Sequence, residues 1–466
     1  TSNLEPRNSA GGPARYTCSL TMPDSLPIPS RQPRRLLAIL GVTFGIAVTI
    51  GNVIGAGILR SPGEIAAHLP SIWPYFAVWV IGGVYALLGA NALAELGTLV
   101  PRSGGQYVFV RHALGDYAGF IVGWSDWLST CGTTALVAIT IGEYSLVYLP
   151  QLRAFEVVAL LTIGLLTLVQ WLGVRWGGAA QNFTSLLKAV VLIALIIACF
   201  KIGGRNPFQE SLVMESDLPF FVAFMLSLQA VIYTYDGWSA PIYFTEEVKD
   251  PGRSIPRAMF AGVGLIIAIY LLINVAFVRV VPLGSIAGET LAAAVVAQHI
   301  FGPYADPVLR SLFIIALLSA VNSNVLMAPR VIYAMSSDGL FWRGAREVNE
   351  GGTPDIALLI SSIVAALFVL TGTFNTVIAK LSFFFVANYA LSFFALFVLR
   401  RREPDAERPY RAWGHPITTG IALLASIAFL IAVIKSDTEN SVYTIILLAL
   451  SYPAFRLARR VGTTPV

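Results

Sequence analysis

Gly51-Asn52-Val53-Ile54-Gly55-Ala56-Gly57 sets three glycines within seven residues, in the middle of an apolar run from Leu36 to Leu69. Glycine weakens a helix by about 1 kcal/mol relative to alanine, and unwound backbone in hydrocarbon leaves amide groups unsatisfied at a cost of several kcal/mol each. A break at this place is stable only where protein or a watery cavity satisfies the freed groups. Two readings follow. The stretch is a seam against which a neighbouring helix packs closely, or it is a place where a ligand meets bare backbone.

The surrounding chain is that of a polytopic membrane protein: of 466 residues 56% are hydrophobic and only 12% charged, with a mean hydropathy of +0.72. Cys18, Cys131 and Cys199 are too scattered for a disulfide framework, and His68, His112, His299 and His415 lack metal-ligand spacing, so neither metal nor cofactor is expected. Enzyme signatures are missing as well. There is no His-Glu-x-x-His and no Gly-x-x-x-x-Gly-Lys, and Tyr235-Asp236 lacks the Gly-x-Gly-Asp partner of an intramembrane aspartyl protease, since Leu114-Gly115-Asp116 has only one of the two glycines. Residues 1–35 carry Pro, Ser, Arg and Gly without an apolar core and are expected to form a disordered cytoplasmic tail.

Twelve apolar runs are long enough to cross a bilayer: 36–69, 73–100, 116–149, 155–172, 179–200, 218–243, 257–281, 304–335, 356–371, 376–400, 417–434 and 442–455. With the N-terminus inside, the loops on that side collect twenty of the 31 Lys and Arg residues, against six outside. Basic residues are retained in cytoplasmic loops, so both termini are expected there, in a cell (inner) membrane protein. This asymmetry accounts for the net charge of +5 and leaves no call for nucleic acid as a partner.

The sixth run carries a second interruption, Tyr233-Thr234-Tyr235-Asp236-Gly237-Trp238-Ser239-Ala240-Pro241. An acid, a glycine and a proline do not belong in an unbroken membrane helix. It lies five runs after the first, so the two broken helices enter the membrane from opposite faces. Paired interruptions in inverted halves are the sequence pointer to a secondary-transporter site. The expected fold is all-α, with twelve transmembrane helices and a five-plus-five inverted repeat of the leucine-transporter kind, helices 1 and 6 being discontinuous. Residues 36–200 and 218–402 form the two repeats, and 412–458 two further helices.

Three motifs add a resemblance. Ala94-Glu95-Leu96-Gly97-Thr98-Leu99-Val100-Pro101-Arg102-Ser103-Gly104-Gly105-Gln106-Tyr107 is the most specific; Gly237-Trp238 with Thr245-Glu246-Glu247-Val248-Lys249-Asp250-Pro251, and Arg330-Val331-Ile332-Tyr333-Ala334-Met335 with Asp338-Gly339, follow in order. Over residues 36–402 the chain resembles the amino acid, polyamine and organocation superfamily, and within it the L-type amino acid transporters and their bacterial relatives. The resemblance implies an amino acid substrate and transport by alternating access. The 149–155 loop has no cysteine, so a disulfide-linked heavy chain, which the resembling animal light chains use, is not expected. Asp236 stands where many members carry a small neutral residue, which unsettles any simple transfer of substrate preference.

An α-amino acid brings a carboxylate and an ammonium, both costly to strip of water. The N–H groups of Val53, Gly55, Ala56 and Gly57, at the positive end of a half-helix, suit the carboxylate. Carbonyls of Thr49 to Gly51, with those of Tyr233 and Thr234, suit the ammonium; Asn52, Tyr235, Asp236 and Gly237 complete the candidate site. Lys188, about 13 Å into the fifth run at 1.5 Å per residue, lies near mid-membrane and needs a cavity or a partner unless it snorkels. The resemblance implies that its ammonium stands where sodium-coupled relatives hold a sodium ion, tying helix 1 to Ser319, Asn322 and Ser323 of helix 8. Arg60, Tyr233 and Trp238 are gate candidates. Asp236 has three open readings: paired with Arg60, meeting a cationic substrate, or capping its own helix. Glu95, Glu246 and Glu247 are expected to latch inner loops to Arg102, Arg253 or Arg257.

Together these features predict a sodium-independent carrier of small or neutral amino acids, by exchange or proton coupling. A cationic amino acid or polyamine transporter using Asp236 is the alternative. An ion channel or a non-transporting receptor is the alternative from another class.

Overall fold

The computed structural model describes residues 36–55, 57–148, 151, 154–203, 218–371, 374–436 and 451–460, save the side chains of 374–384, 433, 435 and 436. The tail 1–35, Ala56, most of the 149–155 loop and the bulk of the twelfth run fall outside the described residues. Within them the chain is helical, and an isolated parallel bridge between Leu40 and Val248 is the sole β feature.

The first run divides into Val42–Val53 (α1) and Gly57–His68 (α2), bent by 47°. Ile72–Leu99 (α3), Gln106–Leu114 (α4), Asp116–Ser145 (α5), Phe155–Trp171 (α6) and Val174–Lys201 (α7) follow. Phe220–Tyr235 (α8) stops at Asp236 and continues as a 3₁₀ segment, Ala240–Glu247. Then come Pro251–Val280 (α9), the short Leu283–Ile286 (α10), Ala292–Phe301 (α11), Ala305–Ser337 (α12), Asp355–Thr371 (α13), Phe374–Arg402 (α14) and Ile417–Ser436 (α15).

Apolar residues lie on the outside as well as within. Leu161, Leu165 and Leu168 on α6, and Phe183, Leu186, Val190, Ile193 and Ile197 on α7, recur every three or four residues and are all exposed. An apolar stripe at helical period that faces outward belongs against lipid. α5 inverts the pattern: Ser125, Asp126, Ser129, Thr130, Thr134 and Thr140 are buried along its inner face. Five helical segments among the described residues are long and apolar enough to span a membrane, and the bent α1–α2 pair makes six. The chain is a multi-pass membrane protein. α5 is long enough to join them but too polar, because its hydroxyls face inward.

One end of the bundle is closed by ion pairs. Glu247, after the α8 break, takes both guanidinium branches of Arg330 of α12 at 2.9 Å, and both side chains are buried. Asp338 accepts from Arg102, Arg111 and Tyr107. Glu95 of α3 accepts from Arg400 at 2.7 and 2.6 Å and lies 3.1 Å from Arg408. Of the three glutamates expected to latch to Arg102, Arg253 or Arg257, Glu246 lies within electrostatic reach of Arg102. Glu95 and Glu247 instead reach residues 305 and 83 positions away, because α3, α12, α14 and the 3₁₀ segment converge at this end.

Candidate functional site

The three glycines of the first break have different reasons to be glycine. A Cβ on Gly51 would overlap Gln181 of α7, Ser323 of α12 and Ser185 of α7, so Gly51 is the seam where three helices touch. A Cβ on Gly57 would press on Thr234 of α8 at 3.2 Å. A Cβ on Gly55 would meet nothing within 4 Å; this backbone faces open space. The seam reading therefore holds at Gly51 and Gly57, while Gly55 leaves its backbone open. α1 ends as Ile54 turns extended, and the first N–H groups of α2 point back to the break, where an α-helix always has donors to spare.

At the second break Asp236 turns extended and Gly237 takes a φ of +101°, which favours glycine; a Cβ there would also run into Asn52. Pro241 then starts the 3₁₀ segment without needing a helical N–H. The two broken helices are stitched together at this level. Ser61 of α2 shares a hydrogen bond with Thr234 of α8 at 2.7 Å, and Asn52 Nδ2 lies 3.5 Å from Gly237 O. Tyr270 of α9 sits between them: its hydroxyl is 3.0 Å from Val53 O, at the end of α1, and 3.1 Å from Thr234 O, in the last turn of α8.

Lys188, 1% exposed, donates to Gly51 O at 2.8 Å and to Ile54 O at 2.5 Å. Its ammonium thus neutralises the negative end of α1. These bonds correct one expectation, since the Gly51 carbonyl offered to a substrate ammonium already holds a lysine. The tie to α12 also runs differently. Ser185 and Gln181, one and two turns before Lys188 on α7, make it: Ser185 bonds Ala47 O and Ser319, and Gln181 bonds Ala47 O, Ser185, Ser319 and Asn322. Asn322 in turn accepts from Gln170 of α6 at 2.6 Å, while Ser323 donates to Ser319 O.

Between α1–α2, α5, α8, α12 and α14 lies a cavity of about 880 Å³. Asn52, Val53, Gly55, Gly57, Arg60, Tyr233, Thr234, Asp236 and Gly237 line it. Thr49, Gly51, Tyr235 and Trp238 do not. Thr49 bonds Gly45 O inside its own helix, Tyr235 packs against Trp79 and Tyr270, and Trp238 stacks on Tyr389 at 4.7 Å. Ala56 is outside the described residues. The cavity runs from Gln106 and Tyr243 up to His68 and Glu289 near the far end of α2, opposite the ion-paired end.

Asp236 accepts from the Tyr389 hydroxyl at 2.8 Å and from the backbone N–H of Gly237, so of its three readings the cap of its own break has a bond in the structure, with Tyr389 as a further partner. Arg60 lies within electrostatic reach of Glu143, Tyr144 and Tyr233. Outside the membrane, burial works against the Arg102 charge, but Asp338 beside it more than offsets this and holds its pKa above the ordinary value. Sequence reasoning missed Tyr270, Gln181, Gln170 and Asp126. Only Asp126 carried a plain signal, an acid inside an apolar run.

A lipid-facing helical bundle with two interrupted helices meeting at an internal cavity defines a class, the membrane proteins that hold small solutes at paired half-helix ends. Residues 40–451 match the amino acid permease family, and the chain belongs to that family. It is similar to the b(0,+)-type amino acid transporter 1 of Rattus norvegicus, 27% identical over 419 residues covering 87% of this chain and 85% of the relative. It is also similar to the serine/threonine exchanger SteT of Bacillus subtilis (26% over 427 residues; 89% and 95%) and to the human large neutral amino acids transporter small subunit 2 (26% over 420 residues; 82% and 77%).

Proposed function

We propose that this chain is a sodium-independent transporter of α-amino acids that works by alternating access. The observation that carries the reading is Gly55, whose backbone opens onto the cavity between two stitched helix breaks. The Val53 and Ile54 N–H groups belong to the end of α1, Ile54 bonding Ile50 O, so it is the backbone from Gly55 into the first turn of α2 that binds the substrate carboxylate. The Tyr233 carbonyl and the Asp236 carboxylate face its ammonium from α8. Tyr270 holds the two breaks in register while they do so. Lys188 supplies a fixed cation at the end of α1, where sodium-coupled relatives would hold an ion, which supports transport without sodium.

The fold that fits this reading has twelve transmembrane helices in a five-plus-five inverted repeat, 36–200 and 218–402, with both termini in the cytoplasm. In that orientation the cavity opens outward, and the Glu247–Arg330 and Asp338 clusters form the closed inner gate, with Arg60 and Tyr233 on the outer side. No disulfide-linked heavy chain is required. Relatives named for large neutral amino acids and for serine and threonine make neutral amino acids the first cargo to test.

The test is uptake of labelled neutral amino acids into proteoliposomes, with sodium replaced by choline and with or without internal amino acid. Saturable uptake in choline is expected. Strict dependence on sodium would remove the role given to Lys188, and current without saturable uptake would favour a channel.

A further inference from the structure

A second cavity, of about 370 Å³, lies at the ion-paired end and shares no lining residue with the central one. Three arginines line it from two places in the chain: Arg343 and Arg346 from the 3₁₀ turn Arg343–Arg346 after α12, and Arg459 from the helical stretch 451–460. Two acids share its wall, Asp116 at the start of α5 and Asp338 at the end of α12. Both are answered by cations that do not line it. Arg111 reaches Asp116 at 2.9 Å and Asp338 at 3.1 Å, and Arg102 reaches Asp338 at 3.0 Å. Two carboxylates thus stand among five guanidiniums, and the cavity carries a surplus of positive charge. Arg343 and Arg459 make further contacts of their own, but a guanidinium has five N–H donors, so one contact leaves others to give.

Planar forks converging from different elements suit a tetrahedral oxyanion, which has enough oxygens to serve several of them at once; a carboxylate has only two. The Ser337 hydroxyl on the same wall adds a neutral donor. The surroundings point to where such an anion comes from. Trp342, beside Arg343, is 47% exposed, and Tyr452 and Leu457, on the same helical stretch as Arg459, are 50% and 63% exposed. Tyr452 and Phe455 pack against Tyr117 of α5 and so hold that stretch to the bundle. A basic cavity rimmed by exposed aromatic and apolar side chains belongs at the boundary of membrane and water, the level of lipid phosphates. A zwitterionic headgroup would bring its own cation among the arginines, so an anionic one fits better.

We propose that this cavity binds a phosphate group, supplied by an anionic phospholipid headgroup or by free phosphate, and that the bound anion ties the stretch 451–460 to the segment after α12. Binding here does not depend on the amino acid reading of the central cavity, and its test needs no transport.

The full chain is titrated with phosphatidylglycerol or phosphatidylcholine and the bound lipid counted by native mass spectrometry, beside melting temperatures in inorganic phosphate and in chloride at equal ionic strength. The wild type should prefer phosphatidylglycerol by about tenfold or more, or be stabilised by phosphate over chloride, and combining Arg343→Gln, Arg346→Gln and Arg459→Gln should remove about tenfold of the preference, the worth of one or two charged hydrogen bonds. Arg346→Gln alone, at an exposed side chain, should weaken it several-fold and answers if the triple variant does not fold. Arg401→Gln, at the end of α14 and outside the lining, should leave it intact. A lipid preference without a phosphate effect identifies the headgroup as the source, and a phosphate effect without a lipid preference identifies the free anion. Neither effect in the wild type, effects unchanged in the cavity variants, or an equal loss in Arg401→Gln overturns the site.

Discussion

The three glycines of the first break separate close packing from open backbone at the scale of single residues. Gly55→Val projects a side chain into open cavity, so uptake should vanish while the melting temperature stays within a degree or two of wild type. Gly51→Ala drives a methyl into Gln181, Ser185 and Ser323, and should destabilise the fold by about 1–3 kcal/mol, the usual cost of overpacking. A thermal-shift assay beside an uptake assay distinguishes them, and equal effects of the two substitutions on stability would contradict the assignment. The sequence showed that this stretch was broken, because three glycines in an apolar run are visible without a structure. It did not show which glycine faced what. That depends on Gln181 and Ser323, residues more than a hundred positions away whose polarity is unremarkable in isolation.

Among the elements, α1–α2 and α8 act as a pair because α9 holds them. The Tyr270 hydroxyl lies within hydrogen-bond distance of a last-turn carbonyl on each side, Val53 O of α1 and Thr234 O of α8. Tyr270→Phe removes that bridge with little change in shape, so stability should fall by only about 1 kcal/mol while uptake falls roughly tenfold through the lost coupling of the two helices. A kinetic comparison of Tyr270→Phe with wild type, in which kcat/KM is unchanged, would show that the bridge is ornamental. Both breaks were legible from Gly237, Pro241 and the Gly51–Gly57 stretch, since helix breakers act locally. The bridge was not, because one tyrosine in a long apolar run looks like core. The Lys188 contact to α1 was anticipated; the link to α12 through Ser185 and Gln181 was not, because hydrogen-bond relays depend on helix rotation, which apolar runs do not encode.

For the whole molecule, the ion-paired end closes what the cavity opens. Glu247→Gln leaves Arg330 buried without its partner, and should lower stability by about 3–5 kcal/mol; adding Arg330→Met should recover part of that loss by removing the stranded charge. Melting temperatures of the single and double variants decide, and no recovery in the double variant would contradict a paired role. The apolar runs and the basic asymmetry made a multi-pass bundle legible, whereas the partners of Glu95 and Glu247 were set by the meeting of distant helices. The central claim is that the cavity grips the α-amino acid backbone at the two breaks. It is tested most directly by competition against uptake of labelled leucine in sodium-free proteoliposomes, using leucine, its amide and isoamylamine, which lacks the carboxylate. The account predicts strong inhibition by leucine and little by the two analogues; equal inhibition by all three would contradict it.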